Sequence, residues 1–289
     1  MRPADEPLTR KQLSAADYSL SYLLGGTVSA PLVVLIHPAF GDHRCFMPQL
    51  AALAPAYRLV LIDLPGHGVA QRPDDQTRIS ATATLFRALL AQEGYTVAHL
   101  VGVSLGALVA QDIAARHPDA VRSLTVVGGY PIGGTPSAVQ RAQVGALLKL
   151  APLLVYSLDR FRQAVAREAT YTPQARELFY RSTQGFTRRS LRAFAGNDAL
   201  MRPTFQPAAV PIQIIVGAHE RPLLRSVAAD WQRREPGSSI ALIPHAGHCA
   251  NMDHPSAFNA HVLAFLRRHA DSNHTAQLPA RDTIQPECI

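Results

Sequence analysis

The stretch HLVGVSLGALVAQDIA, from His99 to Ala114, sets Ser104 between two glycines at the end of an apolar run. Burial alone favours another valine there, because a buried hydroxyl without a partner costs about 1–3 kcal/mol. The preceding TVAHLVGVS has the short, β-branched pattern of a buried strand. The following LGALVAQDIAARHP has helical spacing and stops before Pro118. Gly102-Val103-Ser104-Leu105-Gly106 thus fits G-x-S-x-G between a strand and a helix, the setting of a nucleophile elbow. Such a turn holds the hydroxyl at the strand's C-terminal end. It needs glycine on both sides, where a side chain would meet neighbouring backbone, and it aims the helix N–H groups and positive dipole end at the site. The same pentapeptide also suits an ordinary tight turn, so the rest of the chain decides.

Outward from this stretch, PLVVLIHPA (31–39) and YRLVLIDLPGHG (57–68) read as buried strands closed by turns. ISATATLFRALLAQEG (79–94) reads as a helix stopped by Gly94. VRSLTVVGG (121–129), PIQIIVGAHE (211–220) and SSIALIPHAGH (238–248) continue the strands. Helices follow over Leu224–Arg234 and in PSAFNAHVLAFLRRHA. Strands alternating with helices imply a parallel sheet covered on both faces, an α/β fold. DYSLSYLLGG, with alternating Tyr18, Leu20 and Tyr22, suits an antiparallel edge hairpin. The alternation breaks over 133–206, where SAVQRAQVGALLKLAPLLVY, PQARELFYRSTQGF and RSLRAFAGNDALM carry helical periodicity and no strand. These residues read as a helical cap inserted into a core formed by 1–132 and 207–270. The polar, aperiodic 271–289 reads as a disordered tail.

The 289 residues, 47% hydrophobic and 17% charged, suit a soluble globule with a sizeable core. The N-terminal MRPADEPLTRKQ lacks the apolar run of a signal peptide, and no run reaches the ~18 residues of a membrane span. Three cysteines (Cys45, Cys249, Cys288) have no framework spacing, so reduced thiols in a cytoplasmic protein are expected. The net charge of +7 is concentrated. Pro131 to Gln206 hold eleven Lys and Arg against four acids, whereas the remainder balances at seventeen each. No aromatic-interleaved basic motif accompanies the excess, which argues against nucleic acid. His245, His248, His254 and His261 lack a metal-binding spacing with an adjacent carboxylate, so neither metal nor cofactor is expected.

A serine nucleophile needs a base, and the base an orienting acid. When these follow in the order Ser, acid, His, they sit after the last two strands. His248 lies in the loop after the final strand, and Glu220 lies three residues past Gly217 after the strand before it. Asp198 and Asp230 are the reserve acids. With those positions filled, the chain resembles the α/β-hydrolase fold superfamily over about Tyr18–Ala270. Its layout is most similar to the capped branch of esterases, enol-lactonases and haloperoxidase-like enzymes. DLPGHG (63–68) matches a turn those enzymes carry after an early strand, and HPAFGD lies where they have His-Gly-x-x and build half the oxyanion hole.

The resemblance implies a mostly parallel eight-stranded sheet with the cap after strand 6. It implies oxyanion donors at the N–H groups of Leu105 and Ala39, with Phe40 the second choice for the latter. Pro38 stands where the family has glycine, which bears on the path of that loop. His37 and His67 are expected to orient loops through hydrogen bonds, and Cys249 to be a small buried hydrophobe. The function implied is cleavage of a carboxylic ester or lactone by a Ser104–His248–Glu220 triad through an acyl-enzyme. Alternatives on the same residues are a C–C bond hydrolase, a thioesterase, a peptidase and a non-catalytic ligand-binding protein. The expected partner is a small-molecule substrate. The arginines of the cap point to an anionic or carrier-protein-bound one, and a solvated helical face is the plainer account of them.

Overall fold

The computed structural model describes residues 8–15, 18–68, 77–200, 204–206 and 208–270; the tail read as disordered lies outside them. Eight strands form one sheet: β1 (Thr9–Ala15), β2 (Tyr18–Gly26), β3 (Leu32–Ile36), β4 (Arg58–Asp63), β5 (Ala98–Val103), β6 (Val121–Val127), β7 (Ile212–Gly217) and β8 (Ser239–Ile243). Their order is β1-β2-β4-β3-β5-β6-β7-β8. β2 pairs antiparallel with both β1 and β4, and every other pair is parallel. The outer strand of the edge hairpin is β1, whose one fully buried side chain is Leu13. That leaves too little apolar pattern for the strand to be read from sequence.

Nine helices are described: α1 (Met47–Leu53), α2 (Thr82–Glu93), α3 (Leu105–Arg116), α4 (Ser137–Tyr156), α5 (Leu158–Ala169), α6 (Pro173–Ser182), α7 (Pro222–Arg234), α8 (Ala250–Asp253) and α9 (Pro255–Arg268). The pleat divides the core into two layers. Leu32, Val34 and Ile36 of β3 pack with Phe86 and Leu89 of α2 and Ile113 of α3. Val33 and Leu35 of the same strand pack with Leu53 of α1 and Phe258 and Val262 of α9. A central strand covered on both faces has no polar alternation to display, hence the unbroken apolar run.

Between β6 and β7 lie α4, α5, α6 and three 3-10 turns, at Thr183–Gly185, Arg188–Phe194 and Asn197–Leu200. The last two replace the helix expected over RSLRAFAGNDALM, and Gly196 (φ 79°) separates them. The sequence reading did not single out α5. It starts at Ser157, whose side chain accepts from the Arg160 N–H, and buries Phe161, Val165 and Ala169 at i, i+4, i+8. The last strand is shorter than read, ending at Ile243, because Pro244 has no N–H and His245 takes a positive φ of 52°.

Candidate active site

The strand β5 delivers Ser104 to the C-terminal edge of the sheet at φ 54°, ψ −114°, a conformation that costs an L-residue about 1–3 kcal/mol. Its N–H donates to Val127 O of β6 at 2.8 Å. Close backbone approach requires the flanking glycines: a Cβ on Gly102 would lie 2.3 Å from Gly106 O, and one on Gly106 2.0 Å from Ile36 O. Leu105 opens α3, so its N–H has no acceptor within the helix.

His248 and Glu220 arrive on the two loops expected. His248 Nε2 lies 2.8 Å from Ser104 Oγ, and His248 Nδ1 lies 2.5 Å from Glu220 Oε2. A carboxylate only accepts, so Nδ1 carries the proton and Nε2 offers its lone pair to the serine hydroxyl. The other oxygen of Glu220 accepts from the Arg221 N–H at 2.7 Å, and the residue is 4% exposed. Burial by itself would raise the Glu220 pKa. The His248 ring and the Arg221 N–H outweigh it and hold the carboxyl below the usual range, ionised at neutral pH. Of the reserve acids, Asp230 is on α7 and pairs with Arg233 at the surface. The side chain of Asp198 lies outside the described set.

The two loops are bound to each other and to the cap. Ala218 N–H donates to Ile243 O, and His219 N–H to Ala246 O, both at 2.8 Å. Asp253, which the sequence reading missed, accepts from Gly247 N–H at 2.9 Å and Thr172 N–H at 2.7 Å. One carboxylate thereby braces the residue before His248 against the cap. Cys249 and Cys45 are buried, and burial pushes the Cys45 thiol up to about 12, so neither supplies a thiolate.

The loop after β3 differs from one expectation. Phe40 takes φ 70° and its N–H donates to His67 Nε2 at 3.1 Å, so this N–H, the second choice as an oxyanion donor, is already committed. Ala39 and Leu105 both line the cleft at Ser104. His67 donates from Nδ1 to Pro65 O, while His37 donates from Nδ1 to Pro38 O and accepts from the Leu64 N–H, the loop-orienting roles expected of them. The Phe40 ring meets Phe161 and Phe186 edge-on, each at 5.1 Å, and stacks on Phe194 at 5.7 Å. Those three are cap residues, so the cap and the loop after β3 share one aromatic cluster.

Burial depresses the His67 pKa from 6.5 to about 3. The unfolded chain therefore binds the proton first as pH falls. His67 costs stability progressively below pH 6.5, at up to about 1.4 kcal/mol per pH unit. His67→Gln, which keeps an acceptor for Phe40, is expected to flatten the fall in unfolding free energy between neutral and acid pH. His67→Leu is expected to lose about 1–3 kcal/mol at neutral pH by orphaning that N–H. Urea unfolding at several pH values measures both; an unchanged acid slope in His67→Gln excludes the titration of this ring as its source.

Two lobes of a cleft meet at Ala39, Ser104, Ala142, Arg221 and His248. The smaller, about 210 Å³, is lined by Leu108, Tyr130, Val139 and Leu224. The larger, about 510 Å³, is lined by Phe40, Leu150, Val165 and Phe179, with Lys149 and Glu168 joining Arg221 as charged members. Of the cap's bases among the described residues, Lys149 is the one in this lining; others serve the scaffold. Arg188 caps α4 through the carbonyls of Leu154 and Val155, and Arg162 reaches those of Gln184 and Phe186. Among the described residues, Asp42, His43 and Asp63 bring ligand-type atoms within 4.8 Å of one another. Their donors are committed: Arg44 holds Asp42, and His43 and Arg10 hold Asp63.

The chain matches the sequence model of the alpha/beta hydrolase family over residues 33–261. It is 27% identical over 256 residues to the dihydrolipoyllysine-residue acetyltransferase component of the acetoin cleaving system of Pseudomonas putida, covering 85% of this chain and 66% of that protein. It is 24% identical over 266 residues to 3-oxoadipate enol-lactonase 2 of Acinetobacter baylyi, covering 89% and 96%. The fold superposes with a TM-score of 0.75 on a thermophilic esterase from Thermogutta terrifontis, at 19% identity over 92% of this chain and 100% of that one. No described helix is long and apolar enough to cross a membrane.

Proposed function

Because the chain belongs to the alpha/beta hydrolase family, we propose that it is a serine hydrolase cleaving a carboxylic ester or lactone through an acyl-enzyme on Ser104. The hydrogen-bonded run from Ser104 Oγ through His248 to Glu220, at 2.8 and 2.5 Å, carries this reading. The Ser104 oxygen attacks the carbonyl carbon as its proton passes to His248 Nε2. Glu220 stabilises the imidazolium, and the N–H groups of Leu105 and Ala39 receive the oxyanion, each worth about 3–4 kcal/mol in the transition state. His248 returns the proton to the leaving oxygen, then activates the water that releases the acid. The enol-lactonase and the esterase to which the chain is similar support the ester and lactone class. A fluorophosphonate probe together with an ester and lactone panel tests the reading. Labelling confined to Ser104 with turnover of the panel supports it; a chain that neither labels nor turns over any member is a binding protein.

The charged members of the cleft bear on the choice among substrates. Lys149 and Arg221 face the larger lobe together with Glu168, and Arg221 stands beside the triad's acid. An ester with a free carboxylate a few bonds from the scissile carbonyl is expected to show a lower KM than its neutral isostere at low salt. That advantage fades toward about 0.5 M salt, where the Debye length falls to about 4 Å. An equal salt response of the two esters would mean that these bases serve only the solvated face.

A further inference from the structure

Among the described residues, the exposed large apolar side chains concentrate on the outer side of α4. Val144, Leu148, Val155 and Tyr156 are 58%, 68%, 65% and 86% exposed, so four of the ten exposed large apolar residues fall on this one helix. Val144, Leu148 and Val155 stand at i, i+4 and i+11, and Ala151 at i+7 falls between them, the spacing of a single helical face. The cleft is lined by a different side of the same helix, through Ala142, Gly145, Ala146, Lys149 and Leu150. The stripe is therefore not part of the cleft lining.

Basic residues flank this face along the chain. Arg141 precedes it by one turn on α4, and Arg188 is hydrogen-bonded to the Leu154 and Val155 carbonyls at its C-terminal end, next to Arg189. Arg160 follows four residues after Tyr156. The nearest acid in sequence, Asp159, is occupied by the Tyr180 hydroxyl and the Gln163 amide. An exposed aliphatic stripe, followed by an exposed tyrosine and flanked in the chain by arginines, offers apolar side chains and positive charge to the same surface, the pairing that an anionic bilayer surface attracts.

We propose that the outer face of α4 docks on a bilayer surface bearing anionic headgroups. The aliphatic stripe would enter the headgroup boundary while the arginines meet the lipid charges. A second copy of the chain fits less well. A two-fold contact would set the same arginines against each other, and four side chains fall well short of the ~800 Å² per partner of a stable dimer. Docking places the cleft, which lies across the same helix, within about 10 Å of the bilayer surface.

Co-sedimentation of the full chain with vesicles tests this without reference to catalysis. Binding to equimolar phosphatidylcholine–phosphatidylglycerol vesicles is expected to be at least about tenfold tighter than to phosphatidylcholine alone, and to weaken as salt is raised. Leu148→Gln with Val155→Gln is expected to weaken it about tenfold, as is Arg160→Gln with Arg189→Gln. Turnover of a soluble ester by the same variants reports whether they remain folded and active. Equal affinity for the two vesicle types overturns the proposal, as does binding that both double variants retain in full. A concentration-dependent dimer abolished by Leu148→Gln with Val155→Gln, without vesicle binding, would assign the face to a second copy instead.

Discussion

Replacing Ser104 by alanine is expected to lower ester turnover by about 10⁴- to 10⁶-fold, leaving the ~10³–10⁴ acceleration over water that binding and the oxyanion donors supply alone. The fold is expected to survive. Alanine keeps the Cβ at φ 54°, so the strain of the turn is unchanged, and the Val127 hydrogen bond uses the backbone N–H. What disappears is the 2.8 Å contact with His248, worth about 0.5–1.5 kcal/mol in stability. A purified variant with a wild-type melting temperature and wild-type turnover would move the chemistry to another nucleophile. Serine is also the atom-donor that the fluorophosphonate needs, so labelling and turnover are expected to vanish together.

The elbow was legible because its geometry leaves so few residue types possible. Gly102 and Gly106 face backbone atoms at about 2 Å from where a Cβ would sit, and no side-chain rearrangement moves the carbonyls of α3 and β3 that they meet. The central strands were legible for a related reason: burial on both faces writes them as unbroken apolar runs. Elements that bury little were not. β1 contributes Leu13 to the core, and its pairing with β2 rests on backbone hydrogen bonds that leave no mark in composition. In the cap, the 3-10 turns over Arg188–Leu200 bury Ser190, Ala193 and Leu200, too few and too irregularly spaced to separate them from a helix.

Within the candidate site, the hydrogen-bonded run Ser104–His248–Glu220 was readable from residue type and chain order, whereas the residues that hold it in place were not. Asp253 braces the His248 loop from five positions downstream, and its partners at Tyr171 and Thr172 come from the cap, some eighty residues away. Nothing in the sequence joins them. The loop after β3 shows the same division. Ala39 and Phe40 were both readable there by position in a motif, but the commitment of the Phe40 N–H to His67, from across the loop, was not. The arginine excess of the cap was visible as charge, yet several of those side chains terminate helices or hold carbonyls, and Lys149 is the described base of the cap that reaches the cleft.

Glu220→Gln is expected to lower kcat by about 10²- to 10⁴-fold with little change in KM, for two reasons that act together. The first is charge. Glu220 is ionised when its pKa lies below the usual range, and the neutral amide cannot stabilise the imidazolium formed as Ser104 attacks. The second is the proton on the ring. Glu220 Oε1 accepts from the Arg221 N–H at 2.7 Å, and a glutamine keeps that bond only by placing its carbonyl oxygen there. Its NH₂ then faces His248 Nδ1, which must turn acceptor, so the proton moves to Nε2 and points at Ser104. A ring protonated at Nε2 cannot take the serine's proton. Glu220→Asp keeps the charge but shortens the reach by one methylene, and is expected to be the milder change. Asp230→Asn, at a surface carboxylate paired with Arg233, is expected to leave kcat near wild type. The opposite ranking, a large loss in Asp230→Asn beside a mild one in Glu220→Gln, would transfer the acid's role away from Glu220.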